Sequence, residues 1–274
     1  MPSPSALACP ASLKGVLSAR AAAAALARGL GGCDQLPLAD GGEGTADVVP
    51  GVVEAASVVP FDPAHLDPFT SSRPFGELLA GMDVDRLLIG LGGTANMDAG
   101  EGMLEVLDVL PPTTALCDVS TTLYDAPRLY GPQKGATPEQ VAELEARFRA
   151  NKRLAPFAHL AGSGAAGGLG AALASIGAEL VPGAATVLDL LGFDPTRYEL
   201  VVTGEGRVDG TTAEGKVPFE VARRCAAAGV RCVVFGGIVL EPLPGVETVA
   251  LSGDPERAVA DLEELGARLL DAPG

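Results

Sequence analysis

The sequence predicts an α/β protein built on mainly parallel β-sheet. Two observations carry this prediction: short apolar segments alternate with segments of helical character, and glycine-rich loops follow most of the apolar segments. A third is the content of 36 glycines and 22 prolines, which indicates many tight turns between periodic segments. With 274 residues, the chain can form one large α/β unit or two modest domains.

Capping residues mark the starts of the clearest helices. Ser18 precedes an alanine-rich segment that Gly31 ends, which predicts the first helix. Thr137, with Gln140 three residues later, forms a capping-box pattern. Asp254 stands before a proline at the first turn of the last predicted helix. These signals predict three helices with well-defined starts.

Short apolar runs predict the strands. The segment "RLLIGL" predicts a buried strand that ends at Leu91, followed by a glycine-rich loop and a helix from about Gly102. "YELVV" predicts a strand that leads into a loop, and "VRCVV" and "ETVAL" predict two more. "GSGAAGGLGAAL" predicts a glycine loop that leads into a helix. Strand, loop and helix thus follow one another as parallel sheets require.

Four glycine-rich loops also carry acidic, basic or hydroxyl side chains. Glycine lets backbone N–H groups approach a phosphate, and Lys or Arg neutralises its charge. Carboxylates hold Mg²⁺ or accept a proton from a hydroxyl. One such loop is weak evidence, but four together favour a binding site. The loops are "DGGEGT" (40–45), "GLGGTANMDAGEG" (90–102), "GPQKGA" (131–136) and "TGEGRVDGTTAEGK" (203–216).

The formal charge of −16 limits the partners. A chain this acidic repels phosphate backbones and anionic lipid surfaces, so we expect no nucleic acid and no membrane partner. The alanine run 21–25 is too short to span a bilayer, and no secretory signal is expected at the N-terminus.

The five cysteines are odd in number and scattered, without a CxxC pair. They predict free thiols and a cytoplasmic protein, and with only two histidines a zinc site is not expected.

Two short segments match known nucleotide-binding patterns. "GLGGTA" fits the dinucleotide fingerprint after a strand, with Asp108 at a tolerable distance, and leaves open an NAD-dependent oxidoreductase. Asp98 and Glu101 would repel a pyrophosphate there. "GTTAEGKV" resembles a P-loop, but Val217 replaces the Ser or Thr that contacts Mg²⁺.

A larger set of motifs occurs in one order along most of the chain. It consists of "CPASLKGVLSA", "PLADGGEGTADVV", "LIGLGGTANMDAGEGML", "LCDVS", "YGPQKGATPE", "GSGAAGGLGAAL" and "LVVTGEGRVDGTTAEGKVP". From about residue 9 to residue 237 the sequence resembles the bacterial type I glycerate kinase family. The resemblance implies a kinase, a transferase that phosphorylates D-glycerate with ATP and Mg²⁺ and favours 2-phosphoglycerate as product.

The resemblance also implies a two-domain glycerate-kinase-like fold. A Rossmann-like parallel-sheet domain (residues 1–50 and 190–274) would carry an inserted α/β domain (residues 51–189), with the site in the cleft between them. We expect a monomer or a homodimer.

Candidate site residues follow from the matching motifs. For catalysis we expect Asp98, Asp40 and Lys14, with one of the two carboxylates orienting or deprotonating the acceptor hydroxyl. Glu205 and Asp209 are the candidate metal ligands. The candidates for binding substrate or phosphate are Glu43, Thr45, Gly92, Gly93, Thr94, Lys134, Arg207 and Lys216.

The sequence departs from the family pattern at several polar positions. Ala11, Met97, Ser120 and Thr121 stand where the family usually has Asp, Asn, Asp and Asn, and Thr211 replaces a usual Gln. An alternative is therefore a catalytically impaired or re-specialised relative that binds or phosphorylates another small hydroxy acid.

Overall fold

The computed structural model describes residues 5–210, 212 and 215–271. Residues 211, 213 and 214 of the last glycine loop lie outside the described residues, and Thr211 is among them. Backbone proximity divides the chain into unit 1, Met1–Asp40 with Val187–Gly274, and unit 2, Gly41–Thr186. The boundaries predicted from the sequence lie at residues 50 and 190, and that domain assignment stays a prediction.

Each unit contains a parallel sheet, which confirms the predicted fold class. In the part of the chain that the structure describes, unit 1 has the strand order β2-β1-β7-β8-β9 and unit 2 the order β3-β4-β5-β6. The strands are β1 (Ala6–Ala8), β2 (Asp34–Gln35), β3 (Val52–Glu54), β4 (Leu87–Leu91), β5 (Thr113–Cys117), β6 (Glu179–Pro182), β7 (Leu200–Val208), β8 (Arg231–Val239) and β9 (Glu247–Ala250).

Helices alternate with these strands. They are α1 (Ala19–Gly29), α2 (Arg73–Ala80), α3 (Glu101–Leu104), α4 (Ala126–Tyr130), α5 (Pro138–Ala150), α6 (Ala165–Ser175), α7 (Gly183–Leu190), α8 (Val217–Ala228) and α9 (Ala258–Asp271). In the described residues, no helix is long and apolar enough to cross a bilayer.

The predicted capping signals are confirmed. The Ser18 hydroxyl accepts a hydrogen bond from the Ala21 N–H at 3.2 Å and starts α1. Thr137 and Gln140 form the reciprocal capping box of α5, in which the Thr137 N–H donates to the Gln140 side chain at 2.8 Å. Asp254 caps a single 3₁₀ turn before α9. Local sequence is sufficient for these starts because each cap bonds within one turn.

Strand β7 is longer than its sequence predicts. The segment from Gly204 to Val208 was assigned to a glycine loop, but it continues the strand because β8 pairs with it as far as Val208. Side chains alternate along a strand, so Thr203, Glu205 and Arg207 share one face of the sheet. The prediction of a loop here is wrong, and the non-local partner strand is the reason.

The two units have separate apolar cores. In unit 1, Leu26 of α1, Phe235 of β8 and Leu262 of α9 are completely buried in one cluster. In unit 2, Phe75 of α2 and Phe148 of α5 are buried against the sheet. Burial of a side chain of this size stabilises a fold by about 1.5–3 kcal/mol.

Helix α6 opens with an irregular turn. Ala166, Gly167 and Gly168 all have positive φ values, of 50°, 65° and 95°. A side chain on Gly167 would overlap the carbonyl oxygen of Asn96 and lie 3.0 Å from the Met97 Cα. The glycine is therefore needed both for its backbone conformation and for the close approach of the loop at Asn96.

We expect Gly167→Ala to lower the free energy of unfolding by at least about 2 kcal/mol, since it adds overlap to backbone strain. Gly51→Ala is the matched control, because Gly51 has a φ of 85° in the same unit and open space around it. Thermal unfolding of both variants measures the difference. Equal losses would mean that the contact with Asn96 contributes nothing.

Candidate active site

The carboxyl edge of the unit 2 sheet brings several predicted residues together. Parallel strands β4 and β5 both end at this edge, which is the usual place for a ligand in such sheets. Gly92 follows β4 and Asp118 follows β5. A side chain on Gly92 would overlap the Asp118 carboxylate and lie 2.8 Å from the Gly42 Cα. Three glycine-bearing or acidic segments therefore meet where Gly92 leaves space.

Glu43 lies against the same loop. Its Cβ is 3.0 Å from the position that a side chain on Gly93 would occupy, and its carboxylate is exposed. Thr45 is buried, and its hydroxyl donates to the Gly42 carbonyl at 2.7 Å. The Thr45 hydroxyl thus donates its hydrogen bond within the turn, whereas Glu43 is exposed to solvent.

Asp98 is buried and accepts five hydrogen bonds. The Ser72 N–H and hydroxyl donate to it at 2.7 and 2.8 Å, the Gly100 and Gly102 N–H groups at 3.0 and 3.2 Å, and the Asn96 amide at 3.2 Å. A carboxylate with this many donors holds its surroundings in place and has little capacity left to accept a substrate proton. The geometry gives Asp98 a structural task, and its predicted catalytic role stays a prediction.

Lys134 is a buried amine at the same edge. Only 6% of the residue is exposed, and its Nζ donates to the Asn96 carbonyl at 2.8 Å. Burial lowers the pKa of Lys134 to about 8, although the Asp118 and Asp98 carboxylates oppose that shift. Desolvation thus outweighs two nearby negative charges.

Two polar side-chain atoms in the loop after β4 lack partners. Thr94 is 3% exposed and Asn96 is fully buried, and Thr94 Oγ1 and Asn96 Oδ1 make no hydrogen bond to any described residue. A buried polar atom without a partner costs about 1–3 kcal/mol. The Asn96 amide nitrogen is meanwhile engaged with the Ala166 carbonyl at 2.9 Å. The two oxygens are therefore left with an unmet hydrogen-bonding capacity, which a donor group could satisfy.

A second cluster of predicted residues lies on β7 and the loop after it, in unit 1. The Thr212 hydroxyl donates to the Glu205 carboxylate at 2.8 Å, and Arg207 pairs with Asp209 at 2.9 Å. Burial raises the pKa of Glu205, and the Asp40 and Asp209 charges add to the shift, while Lys216 opposes it. Glu205, Asp40, Asp209 and Lys216 are thus electrostatically coupled.

The backbone of Lys14 lies close to this second cluster. Its N–H nitrogen lies 3.5 Å from the position that a side chain on Gly206 would occupy, so the loop of Lys14 packs against β7. Its side chain is exposed. Lys216 is half-buried at the N-cap position of α8, where the helix dipole adds positive potential.

The structure explains two of the substitutions relative to the family pattern, at Met97 and Thr121. Met97 is fully buried in the unit 2 core, so its side chain packs rather than lining a pocket. Thr121 Oγ1 lies 2.5 Å from the Tyr130 hydroxyl, within hydrogen-bonding distance. Ser120 is exposed and Ala11 is half-buried, and nothing in the structure explains these two substitutions.

The dinucleotide fingerprint in "GLGGTA" lacks its structural context. After β4 ends at Leu91 the chain is irregular until α3 begins at Glu101. A dinucleotide fold needs the helix directly after the glycine turn, with its N-terminus at the pyrophosphate. The interpretation as an oxidoreductase therefore loses its basis.

Sequence reasoning did not assign Asp118 or Asn96 to the site. Asp118 directly follows a strand, as the assigned loops do, so the rule that ligands bind at strand carboxyl ends could have found it. Asn96 lies inside an assigned loop, but its significance depends on partners 38 and 70 residues away. No local pattern shows those contacts.

We expect Asp98→Asn to lower the free energy of unfolding by about 2–4 kcal/mol, because the new NH₂ group would face N–H donors. Asp108→Asn is the control, since Asp108 is exposed in the same unit; it should change stability by less than about 0.5 kcal/mol. Chemical denaturation measures both. A fully stable Asp98→Asn variant that has lost turnover would restore the catalytic assignment.

The pKa of Lys134 predicts a pH-dependent stability. Its pKa is about 8 in the folded protein and about 10.4 in an unfolded chain. Between these values the unfolded chain binds more protons, so stability rises with pH across that window, by up to about 3 kcal/mol.

Lys134→Met should remove this contribution. The free energy of unfolding of the wild type, measured relative to that of the variant, should therefore rise from pH 8 to pH 10. Lys152→Met, at an exposed lysine of the same unit, should leave the difference constant. Denaturant unfolding over this pH range measures both. Parallel curves for wild type and Lys134→Met would show that the amine is not desolvated.

Comparison with known proteins identifies the family. A model of the glycerate kinase family matches residues 111–253. A glycerate kinase of Bacillus subtilis strain 168 is 32% identical over 84% of each chain. A glycerate 2-kinase of Escherichia coli K12 is 33% identical over 61% of this chain and 57% of its own length.

A solved structure is similar over its whole length. The crystal structure of a proposed glycerate kinase 2 from Salmonella typhimurium LT2 superposes with a TM-score of 0.76 at 28% identity and covers 98% of both chains. The family match, the relatives and this structure agree with one another, and the chain therefore belongs to the glycerate kinase family.

Proposed function

We propose that the protein catalyses the ATP-dependent phosphorylation of D-glycerate and favours 2-phosphoglycerate as product. The observation that carries the proposal is the buried Lys134 amine, which donates to the Asn96 backbone carbonyl, in a loop whose Thr94 and Asn96 side-chain oxygens lack partners. A small hydroxy acid offers a carboxylate to the amine and hydroxyl protons to the two oxygens. The family membership and the E. coli relative named glycerate 2-kinase support the choice of reaction and product.

In this proposal the unit 2 edge binds the hydroxy acid. Lys134 attracts its carboxylate, and Thr94 orients a hydroxyl. Gly92 and Gly93 allow the Asp118 carboxylate and Glu43 to lie close to this loop, because a side chain on either glycine would meet one of them. Thr45 has an indirect part in the site, because its hydroxyl bonds to the Gly42 carbonyl and closes the turn that carries Glu43. A site that fixes these groups before binding avoids much of the entropy cost of orientation.

The cluster on β7 binds the phosphates of ATP. Lys14, Arg207 and Lys216 supply positive charge in a protein that is otherwise strongly acidic. Phosphoryl transfer depends mainly on positioning and on neutralising charge at the phosphate oxygens. An amine at the start of α8 meets both needs, because the helix N-terminus also attracts anions.

Glu205 and Asp209 are the proposed ligands of Mg²⁺. Among the described residues, no group of three acidic, histidine or cysteine side chains is arranged to hold a metal ion. Magnesium bound with ATP needs only one or two carboxylates, because phosphate oxygens and water complete its shell. The raised pKa of Glu205 reflects burial among other carboxylates, and a cation fits such a place. Bound Mg²⁺ would neutralise phosphate charge.

The acceptor hydroxyl must lose its proton as its oxygen attacks the γ-phosphorus. Asp40 and Asp98 are the carboxylates proposed from the family motifs. Asp40 lies close enough to Glu205 to raise its pKa, whereas Asp98 is saturated with donors. Of these two, Asp40 is the better placed for contact with ligand phosphates or metal.

We propose that the enzyme acts in the cytoplasm on these small molecules alone, without a nucleic acid or membrane partner, as a monomer or a homodimer. The charge of −16 supports the absence of polyanionic partners.

The proposal predicts a specific response to ligands. Mg-ATP should raise the melting temperature, by an amount that corresponds to about 2.7 kcal/mol at 100 times its Kd, and NAD should not. D-glycerate should then trigger ADP release, which a coupled assay measures, and EDTA should abolish it.

D-lactate is the matched control substrate, because it has the same C2 configuration and lacks only the 3-hydroxyl, and it should release far less ADP. Product analysis by NMR distinguishes 2-phosphoglycerate from 3-phosphoglycerate. Stabilisation by NAD together with no response to Mg-ATP would refute the kinase proposal.

A further inference from the structure

We propose that Asp118 is a catalytic residue, the carboxylate that accepts the proton of the substrate hydroxyl during phosphoryl transfer. The inference rests on the proposed function. Asp118 directly follows β5, which pairs with both β4 and β6 inside the unit 2 sheet. Its backbone N–H donates to the last carbonyl of β4, at Leu91. A rigid sheet thus sets the position of this side chain, as a catalytic group requires.

The surroundings of Asp118 are those of a ligand site. Its carboxylate lies over Gly92, where any side chain would overlap it. Of the two carboxylates that act on the buried Lys134 amine, Asp118 acts more strongly than Asp98. The partnerless Thr94 Oγ1 belongs to the loop that begins at Gly92. A carboxylate that acts on a buried amine, close to a loop with a partnerless hydroxyl, offers the groups that match those of a hydroxy acid.

Other groups nearby are less suited to accept the proton. Asp98 already accepts five hydrogen bonds, so a further bond from a substrate hydroxyl would displace one of them. The neighbouring Cys117 thiol stays protonated, because burial and then the Asp118 charge raise its pKa to about 12. Asp118 is half-buried, which keeps it accessible to a small molecule.

In the proposed step, the substrate hydroxyl oxygen forms a bond to the γ-phosphorus of ATP, and the bond from that phosphorus to the bridging oxygen of ADP breaks. The hydroxyl proton moves to Asp118, which later releases it to water. The products are phosphoglycerate, ADP and one proton, without any further reactant.

The test compares Asp118→Asn with Asp108→Asn, an exposed substitution in the same unit that removes the same charge. The expected result is a fall in kcat of about 100-fold or more for Asp118→Asn, with the KM for ATP and the melting temperature close to wild type. Asp108→Asn should keep wild-type kcat. In Asp118→Ala, added formate should restore part of the activity, because it replaces the missing carboxylate.

Opposite outcomes separate the two proposals. A wild-type enzyme that is inactive with D-glycerate would overturn the proposed function. An active wild type with Asp118→Asn within about fivefold of its kcat, or without formate rescue of Asp118→Ala, would overturn only the role of Asp118. If Asp118→Asn does not fold, Asp118→Glu takes its place, because it keeps the charge and displaces the carboxylate by one methylene. A near-normal kcat of Asp118→Glu would then refute proton transfer that depends on the position of this carboxylate.

Discussion

The hydrogen bonds to the Asp98 carboxylate are the constraint on which the unit 2 edge depends. They join the start of α2, through Ser72, to the loop at Asn96 and to the start of α3 at Gly102. A buried carboxylate is stable only when such donors replace water. Once Asp98 is held this way, the loop from β4 to α3 has one conformation, and the side chains on it have fixed directions.

Fixing that loop also decides what Asn96 can do. Its amide nitrogen donates to Asp98 and to the Ala166 carbonyl, so its side-chain oxygen is turned away from both and remains vacant. Its backbone carbonyl accepts from Lys134, which holds the amine in the interior. The left-handed turn at Gly167 is needed because nothing larger fits beside that carbonyl. Structural hydrogen bonds thereby decide which polar groups of this loop are left without a partner.

Sequence predicted the parts of the fold whose causes are local. The caps at Ser18 and Thr137 bond within one helical turn, and the strand ending at Leu91 is a continuous apolar run. It failed for β7, because pairing with β8 is non-local and glycines in the segment imitate a loop. The resemblance to a family supplied the reaction, which no single motif could have done.

For the site, sequence shows which residues are polar but not what they touch. Asp98 looked like a free acid in a glycine loop, yet its donors include Ser72, which is 26 residues away. Met97 looked like a change in the pocket, yet it packs in the core. Asp118 was passed over although it follows a strand in the same way as Gly92. Contacts between distant segments decide all three cases.

Charge balance bears on the proposal that this edge binds an anionic substrate. With Lys134, Asp98 and Asp118 all ionised, the cluster would carry one net negative charge and repel a carboxylate. The Asp98 carboxylate, however, accepts hydrogen bonds from five donors, three of them backbone N–H groups, which offset part of its charge. It acts on Lys134 less strongly than Asp118 does. That leaves Lys134 and Asp118 as a nearly neutral pair. With a pKa of about 8 the amine is about tenfold more protonated than neutral at pH 7. The buried amine has little hydration to lose, so in the proposed site a bound carboxylate would supply the solvation that the interior lacks.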